Sequence, residues 1–218
     1  RDLLWDEAGR TRAPLEITRV DRPLRILVVD PAPITKQLLK LGREARVICK
    51  ALDPLETAGD VELHCLERKT LMGLRRALLE QPFHVLHFMG HGGYHSASKL
   101  GALVFEKPNG RHDQVGGVAF AEILTDVPTL RLVVLNACYT ARHAGRAGAP
   151  LYSGVASAVL ERTGIPAVVA HQQTISDPAA ISFSEIFYQR IAAGASLESA
   201  MTEARLQLRP KPYEWAAP

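Results

Sequence analysis

Short apolar runs alternate with segments of helical periodicity along most of this chain, and this alternation constrains the fold more than any other feature. The runs are rich in aliphatic residues, as expected of strands that are buried on both faces of a sheet. They are Leu24–Val29, Val61–Leu66, His84–Met89, Leu130–Ala137 and Ala167–His171. Strands that alternate with helices form parallel sheets. The sequence therefore predicts an α/β protein with a mostly parallel central sheet and helices on both faces.

The segments between these runs carry apolar residues at spacings of three and four, which is the helical period. The turn Pro108–Asn109–Gly110 predicts a small hairpin. Asp177 is a predicted N-cap because Pro178 suits the first helical position. Gly194 is expected to end that helix and Ser196 to cap the next one. The predicted helices cover about Leu38–Leu52, Leu71 to just before Pro82, Val118–Leu124, Val155–Arg162, Asp177 to about Ala193, and the apolar stripe Leu197–Leu208.

The size and composition of the chain predict a single packed domain. It has 218 residues, of which 47% are hydrophobic and 22% are charged, which is ordinary for a globular protein with a sizeable core. Residues 1–23 are polar and contain two prolines, so we expect a lead-in or linker segment there and the domain itself over residues 24–218. The chain begins with Arg1, and we expect it to be part of a longer polypeptide.

Charge, apolar run length and cysteine content limit the possible functions. The net charge is only +3, and the basic residues are spread along the chain, so we expect no direct nucleic-acid binding. No apolar run approaches the roughly 20 residues that span a bilayer, so we expect no membrane association. Three cysteines cannot all pair, and a protein of this size does not need a disulfide, so we expect a reducing, cytoplasmic location. Paired cysteines at zinc-site spacing are absent from the sequence, which predicts no metal site. Cys49 and Cys65 are expected to have structural roles.

The most informative side chains follow the third and fourth predicted strands. The third strand leads into Gly90-His91-Gly92, and the fourth leads into Asn136-Ala137-Cys138. In an open α/β sheet, the ligand crevice lies beyond the carboxyl ends of the strands. His91 and Cys138 are therefore expected to meet at one edge. A thiol beside an imidazole is the minimal apparatus for nucleophilic attack on an acyl group, because the base makes the attacking thiolate.

Backbone groups beside these two residues are candidates for an oxyanion hole. Gly92 has no side chain, so its N–H can approach a scissile carbonyl closely. The N–H of Cys138 lies where a strand turns towards a loop. The segment Tyr139–Pro150, which shows no clear period, is expected to form a loop that faces the substrate.

The combined pattern resembles the CHAT domains, a family of caspase-like proteins related to clan CD cysteine peptidases. The motifs that carry this resemblance extend from about Leu24 to Pro218, and the histidine precedes the cysteine as it does in caspases. They are LRILVV, HFMGHGG, VVLNACYTAR, GIPAVVAHQQTISD, FYQRIAAGASLESAMTEAR and EWAAP. The resemblance implies a caspase-like three-layer sandwich.

The same resemblance implies a cysteine endopeptidase with a His91/Cys138 dyad. His91 would act as general base and then as general acid, through an acyl-enzyme and without a metal or organic cofactor. Asn136 stands where the family often has serine and would line the substrate pocket. Asp177 follows the fifth predicted strand, close to the position at which related enzymes have acidic residues that recognise a basic P1 side chain. A protein or peptide substrate and a regulatory sensor domain or partner of a bacterial protein are the implied partners.

Two alternatives to this function stay open at the level of sequence. The first is a catalytically silent interaction module that keeps the peptidase fold as a docking surface. The second is another acyl transfer by the same dyad, in which an amine replaces water. For Asp177, a purely structural role as an N-cap is as well supported as a role in specificity.

Overall fold

The computed structural model describes residues 4–5, 11–12, 22–31, 49–50, 52–95, 100–138, 153–170 and 176–209. Within these segments, five parallel strands form the central sheet, as the sequence predicts. Their order across the sheet is β4-β3-β5-β8-β9. The strands of the structure are β1 (Leu4–Trp5), β2 (Thr11–Arg12), β3 (Leu24–Val29), β4 (Val61–Cys65), β5 (Val85–His95), β6 (Leu100–Glu106), β7 (His112–Gly116), β8 (Leu132–Cys138) and β9 (Ala167–Ala170).

Strand β5 is the central strand and is longer than the sequence predicts. The prediction ended this strand at Met89, whereas the structure continues it to His95. The additional residues extend beyond the end of β3. Gly90 and His91 continue the parallel pairing with β8, whereas Gly92–His95 pair antiparallel with β6, which pairs in turn with β7. The glycines in this stretch weaken strand propensity, but the ladder to β6 supplies partners for the backbone. His91 therefore lies within a strand and not just past one.

The β6–β7 hairpin is confirmed at the predicted turn. Lys107 donates its backbone N–H to Arg111 at 2.7 Å, and Gly110 donates to Lys107 at 2.8 Å. Gly110 has φ +76°, a left-handed conformation that glycine adopts without steric cost. β1 and β2 form a separate two-stranded antiparallel pair.

The helices cover both faces of the sheet, as expected of a three-layer sandwich. α2, α3 and α4 pack on one face around Leu74, Phe120 and Val159, whereas α1, α5 and α6 pack on the other. The helices are α1 (residues 49–50 and 52–57), α2 (Leu71–Glu80), α3 (Gly117–Leu124), α4 (Ser153–Arg162), α5 (Asp177–Ala192) and α6 (Leu197–Gln207). Among these helices, none is both long and apolar enough to cross a membrane.

Two predicted helix boundaries need correction. α1 continues to residue 57 and does not end at Leu52, because Leu55 extends the apolar stripe that packs on the core. The N-cap of α5 is Ser176 and not Asp177. The backbone of Ser176 is extended, and its carbonyl accepts the first helical hydrogen bond from Ala180 at 2.9 Å.

The ends of α5 and α6 follow the predicted signals closely. Gly194 has φ +84° directly after α5, a conformation that commonly ends a helix. The Ser196 side chain accepts a hydrogen bond from the N–H of Ser199 at 3.2 Å and so caps α6. The predicted helix over Leu38–Ile48, the loop Tyr139–Pro150 and the end of the fifth strand at His171 lie outside the described residues.

Candidate active site

The register between β5 and β8 places His91 directly beside Cys138. The two strands pair in parallel from Val85 opposite Leu132 to His91 opposite Cys138, and this last pair ends the ladder. Neighbouring strands lie about 4.8 Å apart in the hydrogen-bonding direction. The two candidate residues, which are distant in sequence, therefore occupy adjacent positions at the carboxyl edge of the sheet.

Both positions belong to the sheet face that α5 and α6 cover. Successive strand residues alternate between the two faces. On β5, Val85 and Met89 join the hydrophobic cluster of α5 and α6, and His87 contacts Tyr188 of α5. The same alternation assigns position 91 to this face, and on β8 it assigns positions 136 and 138 to it. Asn136, His91 and Cys138 therefore share one face at one edge.

Gly90 allows β5 to pass close to the chain that follows β3. A Cβ atom at Gly90 would lie 3.0 Å from the Phe88 ring and 3.2 Å from Pro31, which is closer than ordinary contact. Gly92, the predicted oxyanion-hole residue, is half-buried and opposes Leu103 in the first antiparallel pair with β6. The site thus lies where β5 changes from parallel to antiparallel pairing.

Asn136 is a buried polar residue at the base of the candidate site. Its exposed fraction is 4%, and it lies opposite Met89, one register step below Ala137 and two below Cys138. Its side-chain Oδ1 accepts no hydrogen bond from any residue in the described segments. A buried acceptor without a partner is unusual in folded proteins. This amide is therefore suited to accept a hydrogen bond from a bound molecule.

Two acidic residues also belong to this part of the fold. Asp177 is the first residue of α5, the helix that packs on the face carrying positions 91 and 138. Asp30 directly follows β3 at the same edge, is buried, and forms an ion pair with Lys69 at 3.7 Å. Asp30 is not among the site residues predicted from the sequence, although an acidic residue immediately after a buried strand is a recognisable signal of a site at the sheet edge.

His87 has a structural role in the described core. Its exposed fraction is 1%, and its Nδ1 lies 2.7 Å from the hydroxyl oxygen of Tyr188. Burial raises the pKa of Tyr188 well above its usual range, so this hydroxyl stays protonated and the contact is between two hydrogen-bonding groups. Among the described residues, no cluster of three or more His, Cys, Asp or Glu side chains could hold a metal ion.

Comparison with known families identifies a family for this chain. The family model of the CHAT domain matches residues 11–218, which is nearly the whole chain and includes every element of the central sheet. No curated protein matches the chain significantly.

Proposed function

Because the chain belongs to the CHAT domain family, a caspase-like family related to clan CD cysteine peptidases, we propose that it is a cysteine endopeptidase with a Cys138/His91 dyad. The observation that carries the proposal is the register of β5 and β8, in which His91 and Cys138 form the last parallel pair. A nucleophile and its base must lie within hydrogen-bonding reach of each other or of a shared substrate. Adjacent register positions on one sheet face support the proposal, because they bring the backbones of the two residues next to each other.

The proposed reaction proceeds through an acyl-enzyme. His91 takes the proton of the Cys138 thiol, and the thiolate attacks the scissile carbonyl to form a tetrahedral intermediate. The C–N bond then breaks, and His91 gives its proton to the leaving amine. In the second half, His91 removes a proton from water, the resulting hydroxide attacks the thioester, and the Cys138 thiol is restored as the acid product leaves.

The oxyanion of each intermediate needs hydrogen-bond donors that are already in place. We assign this role to the backbone N–H groups of Gly92, which directly follows His91 on β5, and of Cys138 itself at the end of β8. Loss of one such donor typically lowers kcat by a factor of about 10² to 10³. No metal or organic cofactor is required for these steps.

Asn136 and Asp177 are the proposed substrate-binding residues. Asn136 offers a buried carbonyl oxygen without a partner in the described segments, two residues before the nucleophile. Asp177 adds a carboxylate at the start of α5. Acceptor groups of this kind favour a P1 side chain that donates hydrogen bonds. A basic P1 side chain could donate to the Asn136 carbonyl oxygen and could pair with the Asp177 carboxylate. The substrate would be a protein or peptide, and a sensor domain or partner would control access to the site.

The test is cleavage of a peptide library with varied P1 residues by the full-length protein under reducing conditions. Cys138→Ala is expected to abolish turnover because no other thiol lies at the β5–β8 ladder. His91→Ala is expected to lower kcat by about 10² to 10⁴, the usual contribution of a general base. Cys65→Ser removes a thiol from β4 and serves as the matched control, with wild-type turnover.

The same experiment separates the alternatives. Turnover that survives in Cys138→Ala protein would overturn the proposal. Absence of turnover, together with a Cys138 that reacts with iodoacetamide no faster in the wild type than in His91→Ala protein, would identify a silent interaction module. Amide products that accumulate in preference to acids when a soluble amine is added would identify an acyl transferase.

A further inference from the structure

Cys49 and Cys65 lie against each other at one border of the sheet, away from the β5–β8 ladder. Their Sγ atoms are 3.8 Å apart. Cys49 is half-buried at the start of the described part of α1, whereas Cys65 is exposed at the carboxyl end of β4. The two residues are sixteen positions apart in sequence. The sequence predicts a structural role for each cysteine, but this contact makes them a pair of thiols that only folding brings together.

Ordered elements hold both members of the pair. Cys65 lies opposite Val28 in the parallel ladder of β3 and β4, and Leu66 donates its N–H to the Val28 carbonyl at 2.9 Å. On the side of α1, Glu56 accepts a hydrogen bond from the N–H of Leu63 at 3.2 Å. A disulfide needs an S–S distance of about 2.05 Å. The sulfurs, 3.8 Å apart, must therefore approach by about 1.8 Å, and we expect rotation about the side-chain bonds to bring them together.

The surroundings make the two thiols chemically different. A hydrogen bond from Cys49 lowers the pKa of the Cys65 thiol to about 6, and electrostatic interactions with Lys69 and nearby His64 act in the same direction. Burial and the Asp30 carboxylate oppose this lowering. At neutral pH, Cys65 is therefore an exposed thiolate, the form that reacts with oxidants.

Cys49 is the protonated member of the pair. The hydrogen bond that it donates to Cys65 raises the pKa of Cys49 most, followed by burial and by the negative charges of Cys65, Glu56 and Asp53. The hydrogen bond to the thiolate and the negative charge of Cys65 disappear once Cys65 has been oxidised, whereas burial and the charges of Glu56 and Asp53 remain. Cys49 is thus expected to stay protonated and unreactive until Cys65 has been oxidised, and its thiol then becomes easier to deprotonate.

We propose that Cys49 and Cys65 form a redox-active pair, a modification site at which a hydroperoxide produces a reversible disulfide. The Cys65 thiolate attacks the peroxide oxygen, the O–O bond breaks, and the departing oxygen takes a proton to become an alcohol or water. Cys65 is then a sulfenic acid. The Cys49 sulfur attacks that sulfur, its proton joins the departing hydroxyl, and water leaves. Two thiols lose two electrons in total, and the peroxide gains them.

The first experiment maps the disulfide in the full chain after treatment with hydrogen peroxide. Trypsin cleaves after Lys and Arg and therefore puts the three cysteines in separate peptides. Cys49 lies in the peptide of residues 47–50, Cys65 in residues 51–68 and Cys138 in residues 132–142. Without reduction, we expect a linked peptide made of residues 47–50 and 51–68, which dithiothreitol separates. The same product is expected in Cys138→Ala protein, so the result does not depend on peptidase activity.

Single substitutions separate the roles of the two thiols. Cys49→Ser removes the resolving thiol, so the sulfenic acid on Cys65 is expected to persist and to react with dimedone. Cys65→Ser is expected to leave Cys49 unmodified by the same peroxide treatment, because Cys49 is half-buried and protonated. Oxidation of Cys49 in that variant at the wild-type rate would overturn the proposed order of attack.

The pH dependence of alkylation provides an independent measurement. The iodoacetamide reaction of Cys65 is expected to have its midpoint near pH 6 in the wild type. In Cys49→Ala protein it should move towards about 8.5, the usual value for a thiol, whereas Cys49→Ser keeps a hydroxyl donor and should show a smaller shift. The midpoint of the pH profile is measured instead of the rate at one pH. A lower pKa increases the fraction of thiolate but makes each thiolate less nucleophilic, so the two effects on the rate partly cancel.

Three results would overturn the inference. The first is absence of the linked peptide at a peroxide dose that oxidises Cys138. The second is a disulfide that joins Cys65 preferentially to Cys138. The third is an alkylation midpoint of Cys65 that is the same in the wild type and in Cys49→Ala protein.

Discussion

Asn136 shows how a single residue can indicate a ligand. Its carbonyl oxygen is buried, and no residue in the described segments donates a hydrogen bond to it. An unsatisfied buried acceptor typically costs about 1 to 3 kcal/mol. An apolar residue at position 136 would avoid this cost. We therefore infer that Asn136 is retained because a bound molecule donates the missing hydrogen bond, two positions before the candidate nucleophile.

At the residue scale, we predict that Asn136→Leu lowers kcat/KM by about tenfold, the equivalent of one hydrogen bond of about 1.4 kcal/mol. The free energy of unfolding is expected to stay the same or to rise, because leucine has a similar size and needs no partner. Steady-state kinetics and urea denaturation measure the two effects. Met89→Leu, which changes the register neighbour of Asn136, is the control. A loss of stability with unchanged kinetics would show that Asn136 is structural.

At the scale of elements, α5 is joined to the central strand by a buried polar contact. His87 of β5 and Tyr188 of α5 meet at 2.7 Å within an otherwise apolar cluster. Tyr188 also packs edge-on against Phe187, with ring centroids 5.2 Å apart. The aromatic contact does not depend on the hydroxyl, whereas the contact with His87 does, so the two contributions can be separated by substitution.

We expect Tyr188→Phe to lower the free energy of unfolding by about 1 to 3 kcal/mol, because it leaves a buried imidazole nitrogen without its hydroxyl partner. The double variant His87→Leu/Tyr188→Phe should lose less than the sum of the two single losses, since it removes both polar groups. Urea denaturation followed by circular dichroism measures these values. Strictly additive losses would mean that the two side chains do not interact in solution.

The elements also differ in how far their sequences predict them. α6 was predicted closely because its signals, Ser196 and a regular apolar stripe, are local. The sequence predicts β5 too short because Gly90, Gly92 and Gly93 disfavour a strand. In the fold, Gly90 pairs with β8, and Gly92 and Gly93 pair with β6, which compensates for this. Local preference is a weak constraint for strands, whose hydrogen bonds join residues that are distant along the chain.

At the scale of the whole molecule, one sheet separates two hydrophobic clusters. Phe120 of α3 belongs to the cluster on one face, and Phe183 of α5 belongs to the cluster on the other. Both rings are almost completely buried. Because alternate residues of the same strands contribute to both clusters, loss of packing on either face weakens the shared sheet.

We predict that Phe120→Ala and Phe183→Ala each lower the free energy of unfolding by about 3 to 5 kcal/mol through the cavities that they leave. Each variant should still unfold in one cooperative transition. Leu206→Ala removes an exposed side chain and is the control, with an expected change within about 0.5 kcal/mol. Two separate transitions in either variant would show that the faces unfold independently.

By itself, the sequence determined the alternation of strands and helices, the parallel sheet, and a thiol and an imidazole near one edge of it. These properties follow from the spacing of apolar residues and from turn signals, which act over a few residues. Three features come from the fold: His91 lies opposite Cys138, Asn136 keeps a buried acceptor without a partner in the described segments, and Cys49 contacts Cys65. Register and packing decide these contacts, because they join residues that only the folded sheet brings together.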